Sequence, residues 1–263
     1  MRESLLTVRL YKRGEVTVFL SLICLVTIVF IGAIVSSAKI VAARNGIELL
    51  TKTAVTSAFS EYDKTLFDTF GLLFVDTTYK GICDGGDDSF SEHVTQYIDV
   101  NINDTLSKFL DINYLSISIS DSEYADANYY YPLRQQIREY MTKSKGYSDD
   151  LDDEEMLDAY VTEIDVCGLD DASSNCENQN MVELIINHDE DSGEEDSINK
   201  LDSLTYDEKL NVLVKFIESY IQENSNGYFN FSKQMQAATV TVYFESGTGK
   251  VYECKKEYSL LGR

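Results

Sequence analysis

The chain has few of the residues that usually announce a chemistry. Its only histidines, His93 and His188, lie far apart in sequence, and no HExxH pair occurs. No GxSxG nucleophile elbow is present. The five cysteines include no CxxC, which leaves a zinc ribbon or a thioredoxin-like motif unsupported. Two fragments match functional motifs in letters only. Ser36-Ser-Ala-Lys39 fits SxxK but lies at the end of an apolar segment. Gly247-Thr-Gly-Lys250 suggests a phosphate loop, yet Phe244 stands where the upstream glycine belongs, and a hairpin turn accounts for the glycines. The expectation is a protein that works by contact rather than catalysis, with no cofactor and no bound metal.

Basic charge is also scarce beyond the N-terminus. Residues 1–60 carry 7 basic and 3 acidic side chains, net +4, while residues 61–263 carry 15 and 42, net −27, for a total of −23. Such a surface repels nucleic-acid phosphates and anionic lipid headgroups, so no nucleic-acid partner is expected. The acidic clusters at 84–88 and 189–196 hold oxygen ligands of the kind calcium takes. Neither has the EF-hand spacing: Gly193 would fall at position 5 or 7, and no Glu closes the loop. Solvated acidic loops are the simpler reading. Tyrosine is abundant, at 18, and suits either contact surfaces or half-buried packing.

What the chain does have is one long hydrophobic run, VTVFLSLICLVTIVFIGAIV at 16–35, followed by two serines and an alanine before Lys39. As a helix, about 20 residues cover about 30 Å, the hydrocarbon thickness of a bilayer, and satisfy their own backbone hydrogen bonds. Residues 16–38 are therefore assigned as a membrane span. Arg2, Arg9, Lys12 and Arg13 precede it, which keeps residues 1–15 in the cytoplasm as a basic leader and sends the rest of the chain outside. A cleaved secretory signal is the competing reading, because SSA and VAA resemble cleavage sites; its apolar core would span about 7–15 residues, shorter than this one.

Helical spacing continues past the membrane. Ile40, Ala43, Ile47, Leu50 and Ala54 form a stripe, so one helix is expected over 15–69, with residues 39–70 continuing the span outside the cell and Asn45-Gly46 as its weak point. Gly32 with Ser36, and Ala33 with Ser37, are small-xxx-small pairs of the kind that lets helices approach closely in lipid. Residues 71–263 then read as an acidic α+β ectodomain. A buried strand is expected at 71–76, a loop at 80–89, a helix at 90–111 and a half-buried strand at 114–120, with Leu115, Ile117 and Ile119 on one face. Helices follow at 132–145, opened by the single proline Pro132, at 149–166, and at 204–223, where Thr205 and Glu208 form a capping box. Between the last two lies a polar insertion at 170–197, interrupted by MVELII and ending in an expected disordered tip, HDEDSGEEDS. Strands at 238–246 and 250–259 make a C-terminal hairpin, 238–259. The fold class is α+β: a long N-terminal helix running into a small, largely antiparallel sheet packed on helices.

Four cysteines, Cys83, Cys167, Cys176 and Cys254, fall outside the span, which allows two disulfides in three connectivities, with Cys167 and Cys176 the natural local pair, or free buried thiols. Asn103 and Asn230 open N-glycosylation patterns, expected to be unused if the protein is bacterial.

The order Lys12-Arg13-Gly14, then VTVFLSL, then SAKIVAARNGIELLTKTAVTSAFSEYDKTLFDTFGLLFVD resembles the TadE/TadG-like minor pseudopilins of tight-adherence (Flp, type IVc) pili. It is most similar to anchored proteins beside such loci in Gram-positive bacteria, over residues 12–76. The resemblance implies insertion by a basic leader and one helix, cutting by a prepilin peptidase after Gly14 to leave Glu15 as the new N-terminus, and assembly with other pilin-like helices or Tad assembly proteins. The family usually carries Glu five residues after the cut, where this chain has Phe19. The expected function is a pseudopilin-like, single-pass component of such an apparatus. The alternative is an unprocessed, membrane-anchored binding or adhesion module, and an ectoenzyme is a third, weaker reading.

Overall fold

Helix α1 (Arg2–Phe59) runs unbroken through the basic leader, the apolar run and Asn45-Gly46, a length of about 87 Å at 1.5 Å per residue. The computed structural model describes residues 2–102, 112–167, 204–225, 229–247 and 249–261, with side chains from residue 16 onward except at 165–167 and 224–225. Two halves of α1 differ sharply. Every residue from 16 to 42 is exposed, whereas Ala43, Ile47, Ala54, Val55, Ala58 and Phe59 are buried in the head. Among the described residues, α1 is the one helix long and apolar enough to span a membrane.

The helix ends ten residues before the expected boundary of 69. Ser60 closes back onto Thr56 and Ser57, the chain turns, and Asp63 caps a new helix α2 (Lys64–Phe70) by accepting from the Leu66 amide at 3.0 Å. The Asp63 amide is meanwhile held by the Phe74 carbonyl at 2.9 Å, so tertiary pairing sets the break in a stretch without Gly or Pro. Gly71 ends α2 at φ +68, and a Cβ there would run into the Tyr140 ring, so only glycine fits.

The sheet is organised on its longest shared strand. Strand β1 is Val75–Asp76; after helix α3 (Asp87–Asn101) comes β2 (Ile112–Tyr124); the chain ends with β3 (Gln234–Ser246) and β4 (Val251–Ser259). β3 pairs antiparallel with β2 on one side, from Ile112 opposite Ser246 to Tyr124 opposite Met235. On its other side it pairs with β4, from Val251 opposite Glu245 to Ser259 opposite Ala237, and then with β1 at Met235 and Gln234. Ala238, Val240, Val242 and Phe244 of β3 turn one face toward α1 and α3, where Phe90, Val94 and Ile98 are buried. Thr239, Thr241 and Tyr243 turn the other way, between Ser116, Ser118 and Ser120 on β2 and Glu253, Lys255 and Glu257 on β4. The expected alternation in β2 fails at one position. A bulge after Tyr114 throws Leu115 outward, half exposed, and Tyr114, Ile117 and Ile119 take the core-facing places.

A second core is helical. Helices α4 (Ala127–Ser144), α5 (Asp153–Cys167) and α6 (Tyr206–Ser225) enclose Leu133, Ile137, Met141, Leu157, Leu213 and Ile217 with α2. Tyr160 is completely buried there and donates to the Phe70 carbonyl at 2.7 Å, and burial holds its phenol well above the ordinary value. Lys209, nearly buried, bridges to Asp158 at 2.8 Å and so ties α6 to α5. Before Pro132, Asn128, Tyr129 and Tyr130 adopt left-handed angles, so the regular helix starts where the proline predicts. The apolar run 72–75 is the seam: Leu72 and Phe74 enter the helical core, Leu73 and Val75 the sheet core. Gln136 fastens it by accepting from the Leu73 amide and donating to its carbonyl.

Thr205 and Glu208 open α6 with half of the expected capping box: the Thr205 amide donates to the Glu208 carboxylate at 2.9 Å, while the Thr205 hydroxyl donates to the same oxygen at 2.7 Å where the box would have it accept from the Glu208 amide. Cys83 and Cys254 are free thiols, as is Cys24. Cys167 closes α5, whereas Cys176, the insertion 170–197 with its acidic tip, residues 104–111 of the helix expected at 90–111, Asn103 and His188 lie outside the described residues. At the other sequon, the Asn230 side-chain oxygen is taken up by Ser232 in a helical N-cap.

Phe59 stacks on Tyr258 at 4.4 Å and meets Phe90 edge-on at 5.0 Å, while Leu49 on the same helix is 66% exposed. Phe59→Ala is expected to cost about 3–5 kcal/mol, and Leu49→Ala under about 0.5, by urea denaturation of the detergent-solubilised chain followed in the near-UV circular dichroism.

Candidate functional site

The turn after α1 and the loop after β1 meet above the start of α3. The loop is shaped by Asp76. Its Oδ1 accepts from the Thr78 amide at 2.9 Å and the Thr78 hydroxyl at 2.7 Å, and its Oδ2 accepts from the Lys80 amide at 2.8 Å. Those bonds hold Tyr79 and Lys80 at positive φ ahead of Gly81, a conformation that side chains other than glycine pay for in sterics. Thr77 completes the loop by donating to the Lys233 carbonyl and accepting from the Gly86 amide, both at 2.8 Å.

Folded this way, the loop lays the Tyr79 ring over His93, with centroids 4.0 Å apart. Glu61, just past α1, reaches both His93 Nε2, at 2.6 Å through Oε2, and the Tyr97 hydroxyl through Oε1. One carboxylate thereby joins the end of α1 to two successive turns of α3. Tyr97 is pushed up to about 12, first by donating to Glu61, then by burial and the carboxylate charge. Tyr79 is raised further, mainly by burial and then by Glu61, and its buried hydroxyl oxygen has no hydrogen-bond partner among the described residues. Deeper in, Asp87 accepts from Tyr124 at 2.6 Å and Ser122 at 2.7 Å; burial first, and then this bond, raises the Tyr124 phenol as well.

Beside this cluster opens a cleft of 550 Å³, within the size range of small-molecule sites. Glu61, Asp63 and Lys64 form one wall, Tyr79 and Lys80 another, and Phe229 its apolar end. Charges of both signs and an aromatic floor suit a small polar ligand. The carboxylate oxygens of Glu61 are engaged by His93 and Tyr97, and Asp63 caps α2, so the acidic groups here position the chain first. Among the described residues no three His, Cys, Asp or Glu side chains converge as metal ligands.

None of the residues singled out from the sequence lies in this cleft. Gly14 and Glu15 sit within α1 in helical backbone. Gly32 and Ser36 are exposed on its apolar half, and nothing comes within 4 Å of a Cβ built on Gly32. Cys176 lies outside the described residues, so the Cys167 pairing does too. His93 and Tyr97, four apart, were legible as one face of a helix, but Glu61 and Tyr79 carry no local signal and arrive only through the turn and the loop.

The phenol of Tyr97 provides a readout. A tyrosine held above its unfolded value of about 10 contributes stability below pH 10 that is lost as the pH rises through its folded value. Ultraviolet titration is expected to show one phenol titrating near 12, absent in Tyr97→Phe and moved back toward 10 in Glu61→Gln. Loss in Tyr97→Phe of a phenol titrating near 10, with no change in Glu61→Gln, would show that the pair does not form. Comparison with protein-family models, with curated proteins and with solved structures finds no match to this chain.

Proposed function

We propose that this chain is a pseudopilin-like, single-pass membrane protein that contributes to assembly or surface function of a tight-adherence pilus or a related apparatus. The observation that carries the reading is the division of one unbroken helix into a half exposed on all sides and a half buried in a folded head. An apolar half this exposed is soluble only in lipid or against other helices. Basic residues before it keep the N-terminus in the cytoplasm, and the acidic head projects outward. Gly32 and Ser36 offer the low, open surface on which another pilin-like helix can pack, and the order of features over 12–76 supports the same class. Prepilin peptidase would act between Gly14 and Glu15.

Phe19 favours a second reading, a membrane-anchored binding or adhesion module that keeps its leader and joins no filament. A filament core has no water in which to leave an unpaired terminal amine, and Phe19 supplies no carboxylate to pair with it.

Mass spectrometry of the N-terminus separates the two: a chain beginning at Glu15 is expected for the first reading and an intact leader for the second. Gly32→Cys is expected to give disulfide-linked dimers in membranes under mild oxidation. The linkage is to be read with Cys24 replaced by Ser, and its absence together with an intact leader would remove the filament reading. Protease treatment of whole cells is expected to digest residues beyond 60 in either case, and their protection would reverse the topology.

A further inference from the structure

Contacts along α1 fix which end of the head lies next to the apolar half. The head first meets α1 at Ala43 and Ile47, Lys256 reaches Glu48 at 2.7 Å, and Tyr258 stacks on Phe59. β4 therefore runs in the same direction as α1. Lys250, just before β4, and its first residue Val251 stand with Arg44 around a groove of 500 Å³, while Ser259 lies toward the far end. Because β3 is antiparallel to β4, and β2 to β3, Ser246 and the start of β2 lie at the same end as Val251. This end of the hairpin thus points back down the helix toward the membrane. From Ala38 to Arg44 is six residues, about 9 Å of rise, against a headgroup layer of about 5–8 Å on each side of the hydrocarbon.

The charge at this end is opposite to that of the head. Arg44, Lys250, Lys255 and Lys256 line the groove with Glu48 and Glu253, four cations to two carboxylates, with Lys39 five residues before Arg44 on α1, Glu245 opposite Val251 and Asp111 directly before Ile112 in sequence, where residues 61–263 as a whole carry −27. Apolar side chains stand out beside them: Val41, Leu115 and Val251 are each more than half exposed, and Leu115 is there because the β2 bulge expels it. Lys250 also lies over the Tyr252 ring at 5.5 Å, an aromatic and a cation of the kind that settle at a membrane boundary.

We propose that the hairpin end of the head is a second membrane contact, in which Arg44, Lys250 and their neighbours bind the phosphates of anionic lipid in the leaflet that α1 leaves, with Val251 at the headgroup boundary. The proposal rests on the membrane-anchored reading above. Charge complementarity and continuity with the span both select this occupant. An anionic surface repels the acidic body and attracts the one cationic end, so the two effects turn the head the same way. Attraction over a Debye length of about 8 Å at physiological salt is enough to act across the rise of about 9 Å only if side chains reach down, which lysine and arginine do. The head is then held upright on its helix, with Tyr129 at the opposite end, where β2 pairs with the start of β3.

The chain contains no tryptophan, so single substitutions supply unique fluorophores. Val251→Trp, Leu25→Trp and Tyr129→Trp variants of the full chain are reconstituted into vesicles of phosphatidylglycerol and phosphatidylcholine carrying brominated acyl chains. V251W is expected to be quenched about twofold or more, Y129W unaffected and L25W strongly quenched, and R44E/K250E or about 0.5 M salt should release V251W alone. Quenching of L25W without V251W overturns the proposal and leaves the anchor standing. V251W quenching that is equal in pure phosphatidylcholine and indifferent to R44E/K250E overturns the role of anionic lipid. Absence of quenching in L25W as well as V251W removes the membrane-anchored reading itself.

Discussion

The burial of residues 43–59 of α1 against β3, β4 and α3 is the contact on which the architecture depends. A helix of 58 residues is stable over its apolar half only in lipid or among other helices, and over its second half only in this core. Small side chains make the fit close: Ala43, Ala54 and Ala58 let the sheet approach, and Phe59 fills the end between Phe90 and Tyr258. No break separates the two halves in the backbone of α1.

The other contacts elaborate that joint. Glu61 pins the end of α1 to α3, and the loop after β1 is braced over it by Asp76 and Thr77. The seam 72–75 then hands the chain from the sheet core to the helical core by simple alternation, with one pair of side chains in each. The two cores, joined at 72–75, at Tyr124–Ala125 and at Phe231–Met235, place the acidic helix α5 in the helical core and the hairpin against α1 in the sheet core. The uneven charge of the chain is thereby sorted in space, with acid in α5 and base beside the apolar half of α1.

The single-pass reading joins these features to a mode of action by contact. A rigid shaft, a soluble acidic head and open small-residue positions at Gly32 and Ser36 are what assembly through helices needs. The cleft beside Glu61 is the feature that would serve a ligand, and its acidic groups are already committed to holding α1, α2 and α3 together.

Much of this was legible in residue order because it rests on short-range periodicity. The apolar run of α1, the stripe through Ala43, Ile47 and Ala54, the Thr205–Glu208 cap, the proline at the head of a helix and the C-terminal hairpin each follow from spacing and propensity within one element. What residue order did not determine were the outcomes set by partners distant in the chain. The end of α1 at Phe59 depends on Asp63 pairing with Phe74, the outward turn of Leu115 on a register shift against β3, and the Glu61–Tyr79–His93–Tyr97 cluster on three segments brought together by the turn and loop. Local sequence specifies a helix or a strand because its hydrogen bonds and side-chain faces repeat along the backbone. It cannot specify where a helix stops or which face wins at a bulge when those depend on long-range pairing, and here the tertiary structure decided both.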